Sequence, residues 1–343
     1  MKICIFSRPF YPAVGGLEEV AKTLAYEFSS MNCSVEVVTD VQGSAREDKR
    51  FPFSITRTSM LRDRYLAFRR ADVVLFMNFT FAGVPIALLA RRPIVLSHHG
   101  IYQYKGSFKK QIVEFSKKQL TRFFINICVS QFVARNLPAE SIVIPNAFNN
   151  RIFYFQYVKR VSDFVFCGRM VTEKGADVLL DAFKIVLNAY PKATLTMIGD
   201  GPQKIVLQEQ AKFIGVSKRV IFTGILRNEE LASKLREHSC MVIPSVCEEA
   251  FGIVALEGIA SCDTVISSNR GGLSEAVGDC GILVGPTVEA LAKAMLSVLQ
   301  SKENGTPLPG QPTEDRRAAH LAKHSPMYLA QSYVNVCRIA IHR

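Results

Sequence analysis

The sequence alternates short apolar runs with amphipathic stretches, in two successive series. Such alternation is typical of stacked βαβ units that form parallel sheets. In the first series the predicted strands are Lys2 to Phe6, Ser34 to Thr39, Val73 to Met77, Ile94 to Ser97, Phe124 to Val129 and Ile142 to Ile144. In the second they are Asp163 to Cys167, Thr194 to Ile198, Val220 to Phe222, Cys240 to Ile243 and Thr264 to Ser267. Two similar series predict an α/β protein with two Rossmann-type domains.

The break between the two series falls near Asn149 to Val161, where the strand pattern stops. A chain of 343 residues also exceeds the size that one hydrophobic core usually supports. We therefore expect one domain over residues 1–155 and a second over residues 156–326, with a final helix over 327–343 that packs back on the first. Ligands bind parallel sheets at the carboxyl ends of the strands, so two such domains facing each other would create a cleft.

The composition bounds the cellular setting. Nine scattered cysteines, never spaced C-x-x-C, indicate buried apolar side chains in a reducing compartment rather than disulfides or a zinc site. The amino terminus has no apolar run long enough for a signal peptide, which favours the cytoplasm. The segment from Val73 to Ala90 has the length of a membrane span, but Asn78, Thr80, Gly83 and Pro85 interrupt it, so strand, turn and short helix fit better.

The net charge of +12 lies mostly in the first half of the chain. A basic half indicates a nucleic acid, an anionic lipid or an anionic substrate, and charge alone does not choose among them. We expect no nucleic-acid partner, because the sequence shows neither a known binding module nor basic surfaces interleaved with aromatic residues.

The densest group of functional residue types follows the strand that ends at Ile243. Glu249 falls in the loop, and Glu257 lies about two turns into the next helix. That helix opens with Phe251, Gly252, Ile253 and Val254. The amides of the last three would point at an anion, because a helix start offers unpaired N–H groups. One carboxylate for hydroxyls, amides for phosphate and a second carboxylate for ribose would make a nucleotide-sugar site. An acidic loop followed by one helix glutamate has the same spacing.

A second loop carries glycines and cations directly after a strand. It contains Gly168, Arg169 and Lys174, a combination that brings backbone amides and two positive charges to a pyrophosphate. A glycine turn with solvated charges is the alternative. The next strand ends in Gly199 and Gly201, which lack the third glycine of a dinucleotide fingerprint and by themselves indicate a tight turn.

The first half has its own candidates. Gly15 and Gly16 open the predicted helix Glu19 to Phe28 and would present amides to an anion. His99 ends the strand that begins at Ile94, where a side chain would face the ligand. A histidine in this position is more often structural than catalytic.

Taken together, these motifs resemble the GT-B glycosyltransferases of family 4, also called group 1. The resemblance runs from G-G-x-E at Gly15, through V-S-x-F-V-A at Val129 and P-N at Pro145, to G-R-x3-E-K-G, G-D-G-P and E-x7-E. It implies two Rossmann-like, doubly wound domains facing a central cleft. It also implies that the first domain binds the acceptor and the second binds the nucleotide-sugar.

Residue roles follow from the same resemblance. Glu257 would hold the ribose, Glu249 the hydroxyls of the donor sugar, and Arg169 and Lys174 the diphosphate. Gly16 would pack against the diphosphate, and His99 would face the donor sugar and the reacting centre.

The family resemblance implies retention at the anomeric carbon by front-face attack, with no side-chain nucleophile. The sequence contains no Asp-x-Asp, so we expect no metal and no cofactor beyond a UDP- or GDP-linked sugar. Cations and helix amides would then stabilise the leaving diphosphate. The chain departs from the family at Ser261-Cys262-Asp263-Thr264, in place of Gly-x-Pro, and at Ala147-Phe148-Asn149 after P-N. The first departure puts packing behind the site, and with it activity, in doubt.

The segment from Lys105 to Arg122 predicts a basic amphipathic helix. Phe108, Ile112, Phe115 and, less well aligned, Leu120 share helical spacing among Lys109, Lys110, Lys117 and Lys118, and Arg62, Arg64, Arg69 and Arg70 would extend the basic patch. Such a helix suits an anionic membrane surface, although an ordinary domain helix has the same pattern. With the resemblance, it indicates a glycan or lipid-linked acceptor in cell-envelope polysaccharide synthesis at the inner face of the plasma membrane.

Other functions remain possible for this sequence. A nucleotide-sugar epimerase would share the fold but release a changed donor without an acceptor. A phosphorylase would need a much longer chain. A degenerate transferase would bind the donor without turnover.

Overall fold

The computed structural model describes residues 1–13, 15–102 and 107–343. They form two compact units, which we call the amino-terminal unit (Met1–Ala147 with Ser325–Arg343) and the carboxyl-terminal unit (Phe148–His324). The sequence interpretation placed the boundary after residue 155, a few residues beyond this division. Within the carboxyl-terminal unit, the Phe148 amide donates to the His324 carbonyl at 3.2 Å, which joins its first and last residues.

The amino-terminal unit is built on a seven-stranded parallel sheet. Its strands are β1 (Lys2–Phe6), β2 (Ser34–Thr39), β3 (Ser54–Arg57), β4 (Val73–Met77), β5 (Ile94–His98), β6 (Ile125–Cys128) and β7 (Ile142–Val143). Their order in the sheet is β3-β2-β1-β4-β5-β6-β7. Every residue of β4 and β5 is buried, as expected for strands covered by helices on both faces.

The helices of this unit are α1 (Gly16–Ser30), α2 (Ala45–Asp48), α3 (Leu61–Arg70), α4 (Val84–Leu89), α5 (Phe108–Leu120), α6 (Gln131–Arg135) and the carboxyl-terminal α14 (Pro326–Ile341). A 3-10 turn covers Thr121–Phe123. Helix α14 packs against α1 and along β4 and β5, and its residues Leu329, Tyr333 and Cys337 are buried.

The carboxyl-terminal unit is built on a six-stranded parallel sheet. Its strands are β8 (Ser162–Cys167), β9 (Leu195–Ile198), β10 (Val220–Gly224), β11 (His238–Ile243), β12 (Thr264–Ser268) and β13 (Ile282–Val284). Its helices are α7 (Ala176–Ala189), α8 (Lys204–Phe213), α9 (Asn228–Arg236), α10 (Ile253–Ser261), α11 (Leu273–Val277), α12 (Val288–Glu303) and α13 (Glu314–Ala322). Short 3-10 turns cover Thr172–Lys174 and Ser217–Arg219.

The strand order of this second sheet is β10-β9-β8-β11-β12-β13. In both sheets the order in which successive strands are added therefore reverses beside the first strand, between β1 and β4 and between β8 and β11. Such a reversal leaves a crevice at the carboxyl ends of the two strands, which is where doubly wound sheets bind ligands. The two Rossmann-like domains predicted from the sequence are confirmed.

The predicted strands are all present, with ends that differ by one or two residues. Two strands escaped prediction, β3 and β13. Both lie at sheet edges, and β3 is partly exposed and has Ile55 as its one apolar residue, so neither shows the long apolar run of a central strand. The segment from Val73 to Ala90 is a strand, a turn and a short helix, as predicted. Within the described residues, no helix has the length and apolarity needed to cross a bilayer.

Candidate functional site

The loops after β8 and β9 lie against each other, and glycines make this approach possible. The Gly168 amide donates to the Ile198 carbonyl at 3.0 Å. Gly199 has a φ of +135°, and a Cβ there would lie 1.9 Å from the Gly168 carbonyl oxygen. A Cβ on Gly201 would lie 2.4 Å from the Met170 carbonyl oxygen. These glycines are required by the backbone itself, since any side chain would separate the two loops.

Two residues predicted to be catalytic meet between β8 and β11. The Lys174 ammonium lies 2.5 Å from Glu249 Oε1, and the same oxygen accepts a hydrogen bond of 2.7 Å from Ser245 Oγ. Gly175, with a φ of +65°, brings the Lys174 turn against the β11 loop, because a Cβ there would lie 2.1 Å from the Pro244 carbonyl oxygen. The Lys174 and Glu249 side chains are 32% and 20% exposed, so both charges remain accessible to a ligand.

A pair of glycines after β12 holds the Glu249 loop in place. Glu249 and Gly271 form a parallel bridge, and the Gly272 amide donates to the Glu249 carbonyl at 2.7 Å. A Cβ on either glycine would lie 2.3 Å from a carbonyl oxygen of this loop. The sequence shows these two glycines after Arg270, but no local pattern indicates that they support the Glu249 loop.

Helix α10 begins directly after the Glu249 loop. Its N-cap is Gly252, with a φ of +104°, so no side chain caps the first-turn amides of Ile253 and Val254. They are therefore available to an anion. The Phe251 ring, in contrast, is 2% exposed and lies 5.5 Å from the His324 ring, within the core of the unit. The sequence interpretation grouped Phe251 with the donor-binding residues, and of this residue only the backbone lies at this edge.

Glu257 lies one turn further along α10, and its charge affects the pKa of Cys167 at the end of β8. Burial raises the pKa of the Cys167 thiol well above its usual value, and the negative charge of Glu257 adds to that shift, while Lys174 opposes it. Cys167, the last residue of β8, therefore lies within electrostatic reach of both side chains. Arg169 is exposed, and among the described residues its side chain makes no ion pair. Over residues 1–13, 15–102 and 107–343, no three His, Cys, Asp or Glu side chains are grouped so as to hold a metal ion.

The segment that departs from the family motif is a well-supported turn at the opposite end of α10. The Asp263 carboxylate pairs with Arg160 at 3.0 Å, and the Arg317 guanidinium donates to the Cys262 and Asp263 carbonyls at 2.8 and 3.1 Å. Thr264 Oγ1 donates to the carbonyl of Pro309 at 2.7 Å. The departing segment thus forms a hydrogen-bonded turn, and the Lys174–Glu249 pair is assembled in the same unit.

In the amino-terminal unit, Gly15 and Gly16 begin α1, directly after Val14, which lies outside the described residues. A Cβ on Gly16 would meet no described atom within 4 Å, so the space beside it is open. A Cβ on Gly15 would lie 2.4 Å from the carboxylate of Glu18, a flexible side chain. Among the described residues, no packing contact therefore requires a glycine at position 16.

His99 is held by three residues that the sequence interpretation missed. Its amide donates to Asn78 Oδ1 at 2.8 Å, and its Nε2 lies 2.7 Å from Ser97 Oγ, which in turn lies 2.6 Å from the Tyr333 hydroxyl. Burial and the charge of His98 lower the pKa of His99 to about 3, and the Asn146 side chain opposes the shift. The ring is therefore neutral at physiological pH. No local pattern indicated Tyr333, which is 236 residues from Ser97.

Helix α5 exposes the apolar side chains that the sequence placed on one face. Phe108, Ile112 and Phe115 are 76%, 48% and 53% exposed, and α5 contains no buried residue. Lys109 and Lys110 are exposed beside them, whereas Lys117 pairs with Glu114 at 2.6 Å. Lys105 lies outside the described residues. Within the unit, α5 is therefore not an ordinary helix with its apolar face in the core.

The prediction that Arg64 extends this basic patch is wrong. Its side chain is 5% exposed, pairs with Asp40 at 2.6 Å and donates to the Ala82 carbonyl at 2.8 Å. The guanidinium also lies 5.4 Å from the centre of the Phe6 ring. Arg64 is therefore a buried structural residue, whose guanidinium forms its hydrogen bonds within the unit.

Two family models match the chain, one in each unit. The model for "Glycosyltransferase Family 4" matches residues 14–149, and the model for "Glycosyl transferases group 1" matches residues 162–301. The chain belongs to the GT-B glycosyltransferases of family 4. The resemblance drawn from the motifs is thereby confirmed.

Individual relatives within this family match parts of the chain. Glycogen synthase of Mycobacterium tuberculosis is 37% identical over 141 residues, which is 40% of this chain and 34% of the relative. An uncharacterized glycosyltransferase of Methanocaldococcus jannaschii is 33% identical over 198 residues, 54% of this chain and 52% of the relative. The matched parts thus span between a third and about half of these relatives.

The family fold is also found in solved structures. Anabaena HepE in complex with UDP superposes with a TM-score of 0.83, at 18% identity, over 98% of this chain and 99% of HepE. A structure of HepE with UDP-glucose gives a TM-score of 0.81. At this identity the likeness establishes the fold alone.

Proposed function

We propose that this protein is a retaining, metal-independent hexosyltransferase that uses a nucleotide-diphosphate sugar. The observation that carries the proposal is the Lys174–Glu249 pair beside the open start of α10, at the reversal point of the second sheet. An ammonium, a carboxylate and first-turn amides at one edge match the phosphate and the hydroxyls of such a donor.

Each group has a part in donor binding. Glu257 accepts hydrogen bonds from ribose hydroxyls, and the amides of Gly252, Ile253 and Val254 bind the diphosphate. Lys174 and Arg169 add positive charge to it, and Glu249, held by Ser245, accepts from hydroxyls of the sugar. The UDP and UDP-glucose complexes of HepE support a donor of this class and favour uridine over guanosine.

The reaction exchanges one bond for another at the anomeric carbon. The bond from that carbon to the phosphate oxygen breaks with both electrons on the diphosphate. The acceptor oxygen bonds to the same face, and its proton passes to the departing phosphate oxygen. Lys174, Arg169 and the α10 amides stabilise the charge that develops, so no metal is required.

Calorimetric titration with UDP, GDP and ADP in the presence of a chelator tests the proposal. We expect one nucleotide to bind, the Glu257→Ala variant to lose it, and Glu209→Ala to keep it. Glu209 is the control because its side chain is 65% exposed on α8, in an ion pair with Lys212. Binding that requires a divalent metal, or no binding at all, would contradict the proposal. Release of an epimerised donor without acceptor would reassign the reaction.

We also propose that the acceptor is a glycan or lipid-linked intermediate of the cell envelope, reached at the inner face of the plasma membrane. The exposed apolar residues of α5 and the neighbouring lysines support contact with anionic lipid. Each cation is worth about 1 kcal/mol near such a surface, and each inserted phenylalanine about 2 kcal/mol.

Sedimentation with phosphatidylglycerol vesicles tests the contact. Phe108→Ser with Phe115→Ser should abolish binding, and Lys109→Ala with Lys110→Ala should weaken it in a salt-sensitive way. Phe213→Ser is the matched control, since Phe213 is 93% exposed on α8 in the other unit. Equal losses in the control and the α5 variants would argue against a specific surface.

A further inference from the structure

A buried tyrosine of the last helix ends a chain of hydroxyl groups at His99. Tyr333, on α14, is fully buried, and burial raises the pKa of its phenol well above the usual value. The phenol therefore keeps its proton. Its hydroxyl lies 2.6 Å from Ser97 Oγ, and no other described residue meets it at hydrogen-bond distance. A buried donor needs an acceptor, so the Tyr333 hydroxyl donates to Ser97.

Ser97 then has its own proton to place. It is fully buried, and among the described residues its hydroxyl has two partners, the Tyr333 hydroxyl and His99 Nε2, at 2.6 and 2.7 Å. Since Tyr333 donates to it, the Ser97 proton must go to Nε2. The remaining ring proton, on Nδ1, is then the one left for the Asn146 side chain, which hydrogen-bonds to His99, since Nε2 is taken by Ser97. The reverse direction would leave a hydroxyl proton of Ser97 or Tyr333 buried without an acceptor, which carries the full desolvation penalty.

From this proton count we infer that Tyr333 and Ser97 are positioning residues that set the tautomer of His99, with the ring proton on Nδ1. Nε2 accepts from Ser97 and has no lone pair left for a substrate proton. The hydrogen bond from the His99 backbone amide to Asn78 Oδ1 fixes the backbone of the same residue. The ring, through Nε2, and the backbone are thus both held within the amino-terminal unit.

The assignment limits what His99 can do. A neutral ring whose Nε2 is occupied is not a base through that nitrogen, and it can act only as a donor at Nδ1 or through its shape. This part of the inference rests on the proposed function, in which the acceptor proton passes to the leaving phosphate and no side-chain base is required. The tautomer itself follows from the hydrogen bonds alone.

Nitrogen-15 NMR of the histidine-labelled protein tests the tautomer without any substrate. Two-bond and three-bond proton correlations distinguish a protonated from an unprotonated ring nitrogen, and the His99→Gln variant assigns the signal by its loss. We expect His99 to show protonated Nδ1 and unprotonated Nε2. A protonated Nε2 in the wild-type protein would overturn the inference.

Substitution then tests whether Tyr333 sets the tautomer. In Tyr333→Phe, Ser97 is free to donate or to accept, so both His99 nitrogens should move towards the averaged shifts of a mixed tautomer. Ser97→Ala should do the same, and it serves if the first variant does not fold. Unchanged His99 shifts in both variants would overturn the role of the two residues.

The neighbouring histidine offers a matched control. The Tyr102 hydroxyl lies 3.1 Å from His98 Nδ1, so Tyr102→Phe removes the same group from the adjacent ring. It should move the His98 signals and leave those of His99 in place. His99 signals that move as far in Tyr102→Phe as in Tyr333→Phe would overturn the specific role of Tyr333. If transfer is established, Tyr333→Phe should lower kcat/KM about tenfold, the effect of one lost buried hydrogen bond.

Discussion

Both units place a side chain of the predicted site beside a buried serine at the end of a strand, but they do so in different chemical settings. Ser97 supports His99 in the amino-terminal unit, and Ser245 supports Glu249 in the carboxyl-terminal unit. His99 belongs to a chain of neutral groups, since its pKa is about 3. Glu249 is paired with a cation at 2.5 Å and remains partly exposed.

The difference follows from the cost of burying charge. An ionised group removed from water needs a partner and further hydrogen bonds, whereas a neutral imidazole needs only hydrogen-bond partners. The carboxyl-terminal unit therefore keeps its charges on loops near solvent, where a diphosphate can reach them. The amino-terminal unit can bury His99, because a neutral ring needs no counter-charge.

The largest effect should follow from removing the cation of the charged pair. Lys174→Met should lower kcat about a thousandfold, because one preorganised donor to the developing charge is worth that much in a closed site. Steady-state transfer assays measure it. Lys212→Met is the control, since Lys212 forms an ion pair of 2.9 Å with Glu209 on an exposed helix face. A loss below tenfold would mean that Lys174 serves the fold and not the reaction.

Acid should destabilise the neutral cluster of the amino-terminal unit. Burial lowers the pKa of His98 to about 4, whereas an unfolded histidine titrates near 6.5. Between these values the unfolded chain binds more protons, so stability is complete above pH 6.5 and falls as the pH drops to 4. His98 alone should contribute on the order of 3 kcal/mol.

Urea unfolding at a series of pH values measures this loss. The His98→Gln variant should show a flatter dependence below pH 6.5, whatever its stability at neutral pH. His342→Gln, at an exposed position of the carboxyl terminus, should behave as the wild type. Identical slopes in all three proteins would show that His98 titrates normally.

Replacing a glycine by alanine should have a different effect in each of the two units. Gly199→Ala should destabilise the carboxyl-terminal unit by about 2 kcal/mol or more, since the new Cβ meets a carbonyl oxygen at a strained φ. Gly16→Ala should leave the melting temperature unchanged and weaken nucleotide-sugar binding about tenfold, because the space beside it is open. Thermal unfolding by calorimetry measures the stability of each variant, and titration with the nucleotide-sugar measures the binding. A destabilised Gly16→Ala variant would assign that glycine to the fold.

The smallest effect should come from the serine of the charged pair. Ser245→Ala removes one hydrogen bond to Glu249 and leaves the bond to Lys174, so kcat/KM should fall about fivefold, or about 1 kcal/mol. Transfer assays of Ser245→Ala and Ser97→Ala measure the two losses in kcat/KM. We expect the larger loss for Ser97→Ala, because it leaves the Tyr333 hydroxyl buried without its acceptor. The opposite order would break the comparison between the units.

The sequence by itself determined the two-sheet architecture and most of the charged site. Central strands such as β4 and β11 are buried on both faces, so they appear as apolar runs, and the glycines and charges of the second unit follow such strands directly. The tertiary structure decided which groups touch. It paired Lys174 with Glu249, buried Phe251 and Arg64, and added the edge strands β3 and β13. It also joined Tyr333 to Ser97 across most of the chain. Strand-end motifs are local, whereas these contacts depend on how helices and loops pack, which no short pattern encodes.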